Sequence, residues 1–393
     1  MFKKDFPIFD NPLVYFDSAA SAQKPKAVID SLCDFYSKHY SNVHRGTCSL
    51  ANQATQMYEA ARKTVADFIG AKSQEIVFTK GATESINLVA SGYESLLKPD
   101  DEVLICIAEH HANFVPWQQL CLKTGAKFRV FNVKQDGSWD LEDFKSKLNK
   151  NTKLVAVSAM SNVLGVLNPV KEVIDLAHNF GAKVLIDGAQ SICHISMNVV
   201  DIGCDYFVFS GHKIYGPTGI GVLYGKTDSL DELPPYQYGG DMIKEVFVDK
   251  TVFAQLPARL EAGTPPIVQA IGLKSALDYV CQIGMEQIQN REKEVFDYLV
   301  CQLKQIQGIQ FLGNPDLKAG LVSFNIKGIH PNDLSMILSK QNVCVRVGHH
   351  CAMPLHQFFG INASIRISMG LYNNKEDVDA VISALHKAIG FFK

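Results

Sequence analysis

Short, nearly uninterrupted apolar runs recur along the first part of the chain, separated for the most part by stretches whose apolar positions return every three to four residues. The runs at 75–79, 102–108, 127–133, 153–159, 183–186, 206–209 and 220–224 have strand length and little polar alternation, as expected of strands buried on both faces. Helical periodicity fills 27–40, 53–70 and 170–180, and the second of these closes on Gly70. Before them, Tyr15-Phe16-Asp17-Ser18-Ala19-Ala20 reads as a strand running into a turn of small residues. Strand, turn and helix in repetition predict an α/β fold whose mainly parallel sheet is covered on both faces. Sheets of that kind bind ligands at the carboxyl ends of their strands.

The pattern changes near 231–235, where Pro, Tyr and Gly open a loop-rich passage ending in Glu261-Ala262-Gly263-Thr264-Pro265-Pro266. Helices are expected next at 268–283 and 285–307. Strands follow at 321–326, 344–347 and 364–368, then a closing helix at 375–391, which makes a smaller α+β unit. The expected division is an N-terminal segment 1–14 packing with the small domain, a large ligand-binding domain 15–265, and a small C-terminal domain 266–393.

Composition narrows the function classes. With 393 residues, 47% hydrophobic and 20% charged, the chain has the make-up of a globular protein. A formal net charge of −2 supplies no basic field for nucleic acid, so a small-molecule substrate is the expectation. The start, Met1-Phe2-Lys3-Lys4-Asp5-Phe6-Pro7, lacks the apolar core of a secretory signal, and no run is long enough to span a bilayer. Ten cysteines without a C-x-x-C pair argue against a zinc site or a disulfide framework, and for a reducing, cytoplasmic setting with no metal.

Several strand ends carry candidate chemistry. Lys213 follows the apolar run 206–209 in Ser210-Gly211-His212-Lys213; a buried lysine there can hold a carbonyl cofactor as a Schiff base, whereas a solvated one is a plain turn residue. Asp187 ends the run 183–186, with Gln190 three residues on. It is placed to pair with a protonated ring nitrogen, or merely to cap its turn. His110 is placed to stack on an aromatic cofactor and move protons. Gly81-Ala82-Thr83-Glu84 opens a helix whose free N–H groups suit a phosphate, with Thr83, Ser210 and His212 as further donors; simple helix capping is the plainer reading.

Taken in order, Gly81-Ala82-Thr83-Glu84, Glu109-His110-His111-Ala112-Asn113, Asp187-Gly188-Ala189-Gln190 and Ser210-Gly211-His212-Lys213 resemble the pyridoxal 5′-phosphate (PLP) site of the class-V aminotransferase group. The likeness runs over essentially the whole chain. Asp17-Ser18-Ala19-Ala20, Val43-His44-Arg45-Gly46 and Arg346-Val347-Gly348-His349-His350-Cys351-Ala352-Met353-Pro354 look like the second group of cysteine desulfurases, the SufS type, also known as selenocysteine lyases. The resemblance implies a fold-type I PLP-dependent transferase, with 15–265 as the PLP-binding domain and the catalytic-cysteine loop in 266–393. Lys213 would hold the cofactor, Asp187 face its ring nitrogen, Gln190 bond its phenolic oxygen and His110 stack on the ring. Ala82, Thr83, Ser210 and His212 would bind the phosphate, and Thr264 would reach the phosphate of the partner in a homodimer. Asn162 and Arg366 would hold the substrate carboxylate, with Arg346 and His44 near the substrate side chain. Val347 and the stretch Pro266-Ile267-Val268-Gln269 depart from common forms of the family, at positions that carry no chemistry.

The activity implied is conversion of L-cysteine to L-alanine, with Cys351 taking the sulfur as a persulfide. The sulfur would pass to a small acceptor protein of the SufE/SufU kind for iron-sulfur cluster assembly. L-selenocysteine is an alternative substrate. Other rivals are an aminotransferase, epimerase or kynureninase-like hydrolase on the same fold, none of which needs a thiol at 351, and a non-catalytic docking platform.

Overall fold

A computed structural model describes residues 2–392. The strands are β1 (Val14–Tyr15), β2 (Ile76–Thr79), β3 (Glu102–Cys106), β4 (Lys127–Phe131), β5 (Thr152–Ser158), β6 (Lys183–Asp187), β7 (Tyr206–Ser210) and β8 (Gly221–Gly225). They are followed by β9 (Ile243–Val246), β10 (Thr251–Phe253), β11 (Ile309–Phe311), β12 (Leu321–Ile326), β13 (Val343–Cys344), β14 (Arg346–Gly348) and β15 (Ser364–Ser368).

Seven of them form one sheet in the order β2-β8-β7-β6-β5-β3-β4, parallel except for β8, which runs against both its neighbours. Every residue of β3, β6 beyond its first position, β7 and β8 is buried, which is why these strands are apolar without alternation. One face of the sheet packs into a core with Phe207, Phe209, Ile186 and Val157, the other into a core with Val208, Leu185, Ala156 and Trp117. Helix Ser49–Ile69 covers the first face and ends on Gly70 in the left-handed conformation (φ 74°).

The second, antiparallel sheet has the order β11-β12-β15-β14. Helices Met285–Lys304, Pro331–Ser339 and Lys375–Gly390 share a core with it through Leu299, Leu338 and Leu385. Helix Ile267–Ile283 lies beyond the boundary expected at 265, yet its Leu273, Ala276 and Leu277 join the core of the large sheet. The N-terminal segment sits at the seam of the two units: Phe6 meets the rings of Tyr215, Tyr279 and Tyr372, and Lys3 pairs with Asp377 at 2.5 Å. β1 then pairs with β13.

Two expectations shift. The helix expected at 27–40 is α-helical only over Lys26–Asp34 and finishes as a π turn, Phe35–His39. There Ser37 Oγ donates to the Cys33 carbonyl (2.6 Å), a side-chain bond that competes with the helical ladder. The loop-rich passage after 235 contains a hairpin, β9–β10, with an exposed apolar tip of Val246, Phe247 and Val248.

Candidate active site

A cavity of about 310 Å3 opens where the carboxyl ends of the central strands face the small domain. From the large sheet it receives Ala82, Thr83, His110, Asn162, Asp187, Gln190, Ser210, His212 and Lys213; from the small domain come Arg346, Cys351 and Arg366. His44 and Thr264 do not line it. His44 sits in a separate cleft together with Gly263 and Pro265, the neighbours of Thr264.

Lys213 follows β7 in a single 3-10 turn, one strand over from Asp187 at the end of β6. Desolvation in the cavity wall lowers the pKa of the Lys213 amine, opposed by the charge of Asp187 and reinforced by Arg366. Burial raises the Asp187 carboxyl, while Lys213 and the Ala189 N–H oppose the rise. Asp187 Oδ1 accepts that N–H at 2.8 Å, leaving Oδ2 available to a cationic donor. Behind them Glu109, fully buried, accepts from the Ser158 N–H (3.0 Å) and Asn113 Nδ2 (2.7 Å) and bonds the Ser158 hydroxyl. Burial, assisted by Asp187, pushes its pKa up to about 8.

The opposite end of the cavity has the donors that suit an anion. Gly81 caps helix Ala82–Tyr93, whose first N–H groups have no partner within the helix. Ser210 Oγ accepts the Ala82 N–H at 2.8 Å, which frees its own proton for a ligand. Gly221 passes so close beneath that a Cβ there would stand 2.3 Å from Gly81 Cα. Beside it, burial and the charges of Lys213 and Lys24 hold His212 neutral, down to about 4.

His110 is the capping residue of a short 3-10 turn, and its Nδ1 accepts the Ala112 N–H at 3.0 Å. That bond fixes the proton of the neutral ring on Nε2. Burial, then Lys213, depresses its pKa to about 3. Gln190 Nε2 donates to the Ala19 carbonyl (2.9 Å), tying the β6 turn to the turn that follows β1.

Cys351 stands exposed in the loop after β14, with positive φ at both His350 (49°) and Cys351 (56°). This left-handed pair is held from the large domain. His111 N–H donates to the Cys351 carbonyl (2.6 Å), His111 Nε2 accepts the Met353 N–H (3.2 Å), and Asn162 Nδ2 donates to the His350 carbonyl (2.7 Å). Arg366 is buried in β15; its Nη1 donates to the Asn162 carbonyl (2.9 Å) and its Nη2 to Asp17 (3.3 Å), while its Nε has no partner. Its guanidinium lines the cavity with N–H groups to spare, the chemistry that suits a carboxylate. Arg346, directly opposite on β14, gives Nε and Nη2 to Asp17 at 2.8–3.1 Å.

Sequence reasoning assigned no role to Asp17 or Glu109, although both fall within the motifs it used. A carboxylate at a strand end beside small residues was the available signal.

The aminotransferase class-V family matches residues 14–381. A probable cysteine desulfurase of Halalkalibacterium halodurans is 45% identical over 99% of this chain and 98% of its own length. A cysteine desulfurase of Haloferax volcanii is 46% identical over 97% of this chain and 90% of its own. The solved apo structure of cysteine desulfurase from Thermococcus onnurineus NA1 superposes with a TM-score of 0.95 at 40% identity, covering 99% of this chain and 97% of that one. A match over nearly the whole length, with lysine, aspartate and cysteine converging on one cavity, leads to one conclusion: the chain belongs to the class-V aminotransferase family, and within it to the cysteine desulfurases.

Proposed function

We propose that the protein converts L-cysteine to L-alanine at this cavity and keeps the sulfur as a persulfide on Cys351. The observation that carries the reading is that Lys213 and Cys351, from different domains, line the same cavity together with Arg366.

The donor set fits PLP. The Gly81–Thr83 helix start with Ser210 and His212 would take its phosphate, Asp187 Oδ2 a protonated ring nitrogen, His110 one ring face, Gln190 the phenolic oxygen, and Lys213 Nζ the carbonyl carbon. When bound, the cofactor supplies an electron-withdrawing ring that accepts the charge left as the Cα proton departs.

The chain's own residues do the rest. Arg366, which lines the cavity, binds the substrate carboxylate through guanidinium N–H groups that Asn162 and Asp17 leave free. Lys213 Nζ, kept partly neutral by desolvation, takes the Cα proton. Cys351 as thiolate attacks the substrate sulfur: a sulfur–sulfur bond forms, the Cβ–S bond breaks, and its electron pair stays on carbon, which is protonated to the methyl group of alanine. An exposed loop then presents the persulfide to an acceptor; a small protein of the SufE/SufU kind suits that exposure.

A homodimer is supported by the cleft in which His44 meets Gly263 and Pro265, away from the chain's own cavity, as residues lent to a partner would lie. The exposed apolar tip of β9–β10 favours the same assembly. Among the described residues no helix is long and apolar enough to cross a membrane, and the ten cysteines are free, as a reducing cytoplasm would keep them.

The test is to load the purified protein with PLP and assay alanine and sulfide from L-cysteine in the presence of a reducing thiol. Wild type should form both, and Lys213→Ala and Cys351→Ala should each lose them. Undiminished sulfide release by Cys351→Ala would refute the reading.

A further inference from the structure

His212, the residue before Lys213, is gripped from the turn that follows β1. Its carbonyl accepts the Ala22 N–H at 3.0 Å and Lys24 Nζ at 3.2 Å. A carbonyl oxygen has two lone pairs, and these two donors fill them. Lys24 Nζ also donates to the Ala22 carbonyl, so a half-buried amine gives its protons to two backbone acceptors. Burial lowers that amine to about 8, and its charged and neutral forms both have protons enough for the pair.

The Ser21 hydroxyl has two acceptors in reach on the same residue, the His212 carbonyl at 3.5 Å and His212 Nδ1 at 3.3 Å. The carbonyl is already filled, which leaves the hydroxyl proton to Nδ1. A neutral imidazole that accepts at Nδ1 has its own proton on the remaining nitrogen, Nε2. His212 lines the cavity beside Thr83 and Ser210, where an Nε2–H donates to a phosphate oxygen and a bare Nε2 repels one. Lys24 itself does not line the cavity.

We propose that Lys24 is a positioning residue for the cofactor phosphate: by filling the His212 carbonyl it leaves the Ser21 hydroxyl to Nδ1 and so keeps the ring proton on Nε2. The inference rests on the reading of His212 as a phosphate ligand. Without Lys24 the Ser21 hydroxyl is free to turn to the vacated carbonyl, and the ring loses the bond that fixes its tautomer.

The experiment titrates the full chain, freed of cofactor, with PLP and with pyridoxal, which lacks the phosphate, and takes the ratio of the two affinities. Damage to the Lys213 turn weakens both ligands and cancels. In Lys24→Met the ratio should fall about fivefold, the size of one hydrogen bond. Ser21→Ala should lower it by a similar factor, and Lys24→Met/Ser21→Ala no further, because both residues act through one ring. In parallel, nitrogen NMR spectra of isotope-labelled histidine, recorded well above the His212 pKa and assigned by the signal lost in His212→Gln, should show the Nε2–H form in wild type. Both single variants should show a mixture of tautomers. A ratio within about twofold of wild type, losses that add in the double variant, or an unchanged tautomer overturns the proposal. If Lys24→Met does not fold, Ser21→Ala decides the matter by the same two readings. Wild type that binds PLP no more tightly than pyridoxal would instead sink the reading of His212 as a phosphate ligand, and the NMR spectra would still report on Lys24.

Discussion

Replacing Arg366 by lysine isolates the carboxylate contact. In the wild type, one N–H of Nη1 goes to the Asn162 carbonyl and one of Nη2 to Asp17, and the rest of the fork is left for substrate. Lysine keeps the charge but has no fork, so it cannot serve all three acceptors from one position. A hydrogen bond between charged partners contributes about 1.5–3 kcal/mol, which is about 10- to 100-fold in kcat/KM. Arg366 is almost fully buried, so solvent screening removes little of that. Part of any loss will reflect disturbance of Asn162 and Asp17. Measuring L-cysteine and L-cysteinamide side by side cancels that part, because the amide lacks the anion. Arg366→Lys should therefore lose about 10- to 100-fold on L-cysteine, mainly through KM, and much less on the amide. Equal losses on both substrates would show that Arg366 is a structural post and not the carboxylate anchor.

Glu109→Gln tests the buried acid behind Asp187. A carboxyl raised from 4.5 to about 8 in the fold favours folding below pH 4.5 and loses that contribution as pH rises through about 8. The urea midpoint of the variant should accordingly gain on wild type across that window; a constant difference would mean Glu109 is ionised throughout. Gly221→Ala would drive a methyl to 2.3 Å from Gly81 Cα, and overpacking of this kind costs about 1–3 kcal/mol. The variant should release PLP more readily on dialysis than wild type, and unaltered retention would free the anion donors from that dependence. Phe6→Ala removes a buried ring from the cluster of Tyr215, Tyr279 and Tyr372 and should cost about 3–5 kcal/mol in denaturant unfolding. A cost below about 1 kcal/mol would mean that the N-terminal segment is not part of the cooperative core.

The strands that carry the site were legible because burial on both faces leaves no polar alternation. β3, β6 and β7 each end in a chemically distinctive residue or motif, as with Asp187 and the turn before Lys213. The reversed direction of β8 was not legible, since an apolar run carries no sign of which way it pairs. Helix Ile267–Ile283 joined the large core although a long loop precedes it: its packing partners lie in helices Lys26–Asp34 and Ser49–Ile69, far back in sequence. The Asp17 clamp was hidden for the same reason. It exists because the register of β14 against β15 faces two arginines and a bridge to Ser368 brings in the N-terminal strand, none of which is local. The hold on the Cys351 loop by His111 and Asn162 likewise joins residues from separate domains.

Sulfur is expected to leave bound cysteine for Cys351 across the cavity that also contains Lys213. Mass spectrometry of the PLP-loaded protein after a single turnover of L-cysteine, without added reductant, reads this directly. One extra sulfur on the peptide containing Cys351, matched by one alanine, is the predicted result. Alanine formed with the extra sulfur on another of the ten cysteines, or on none, would contradict it.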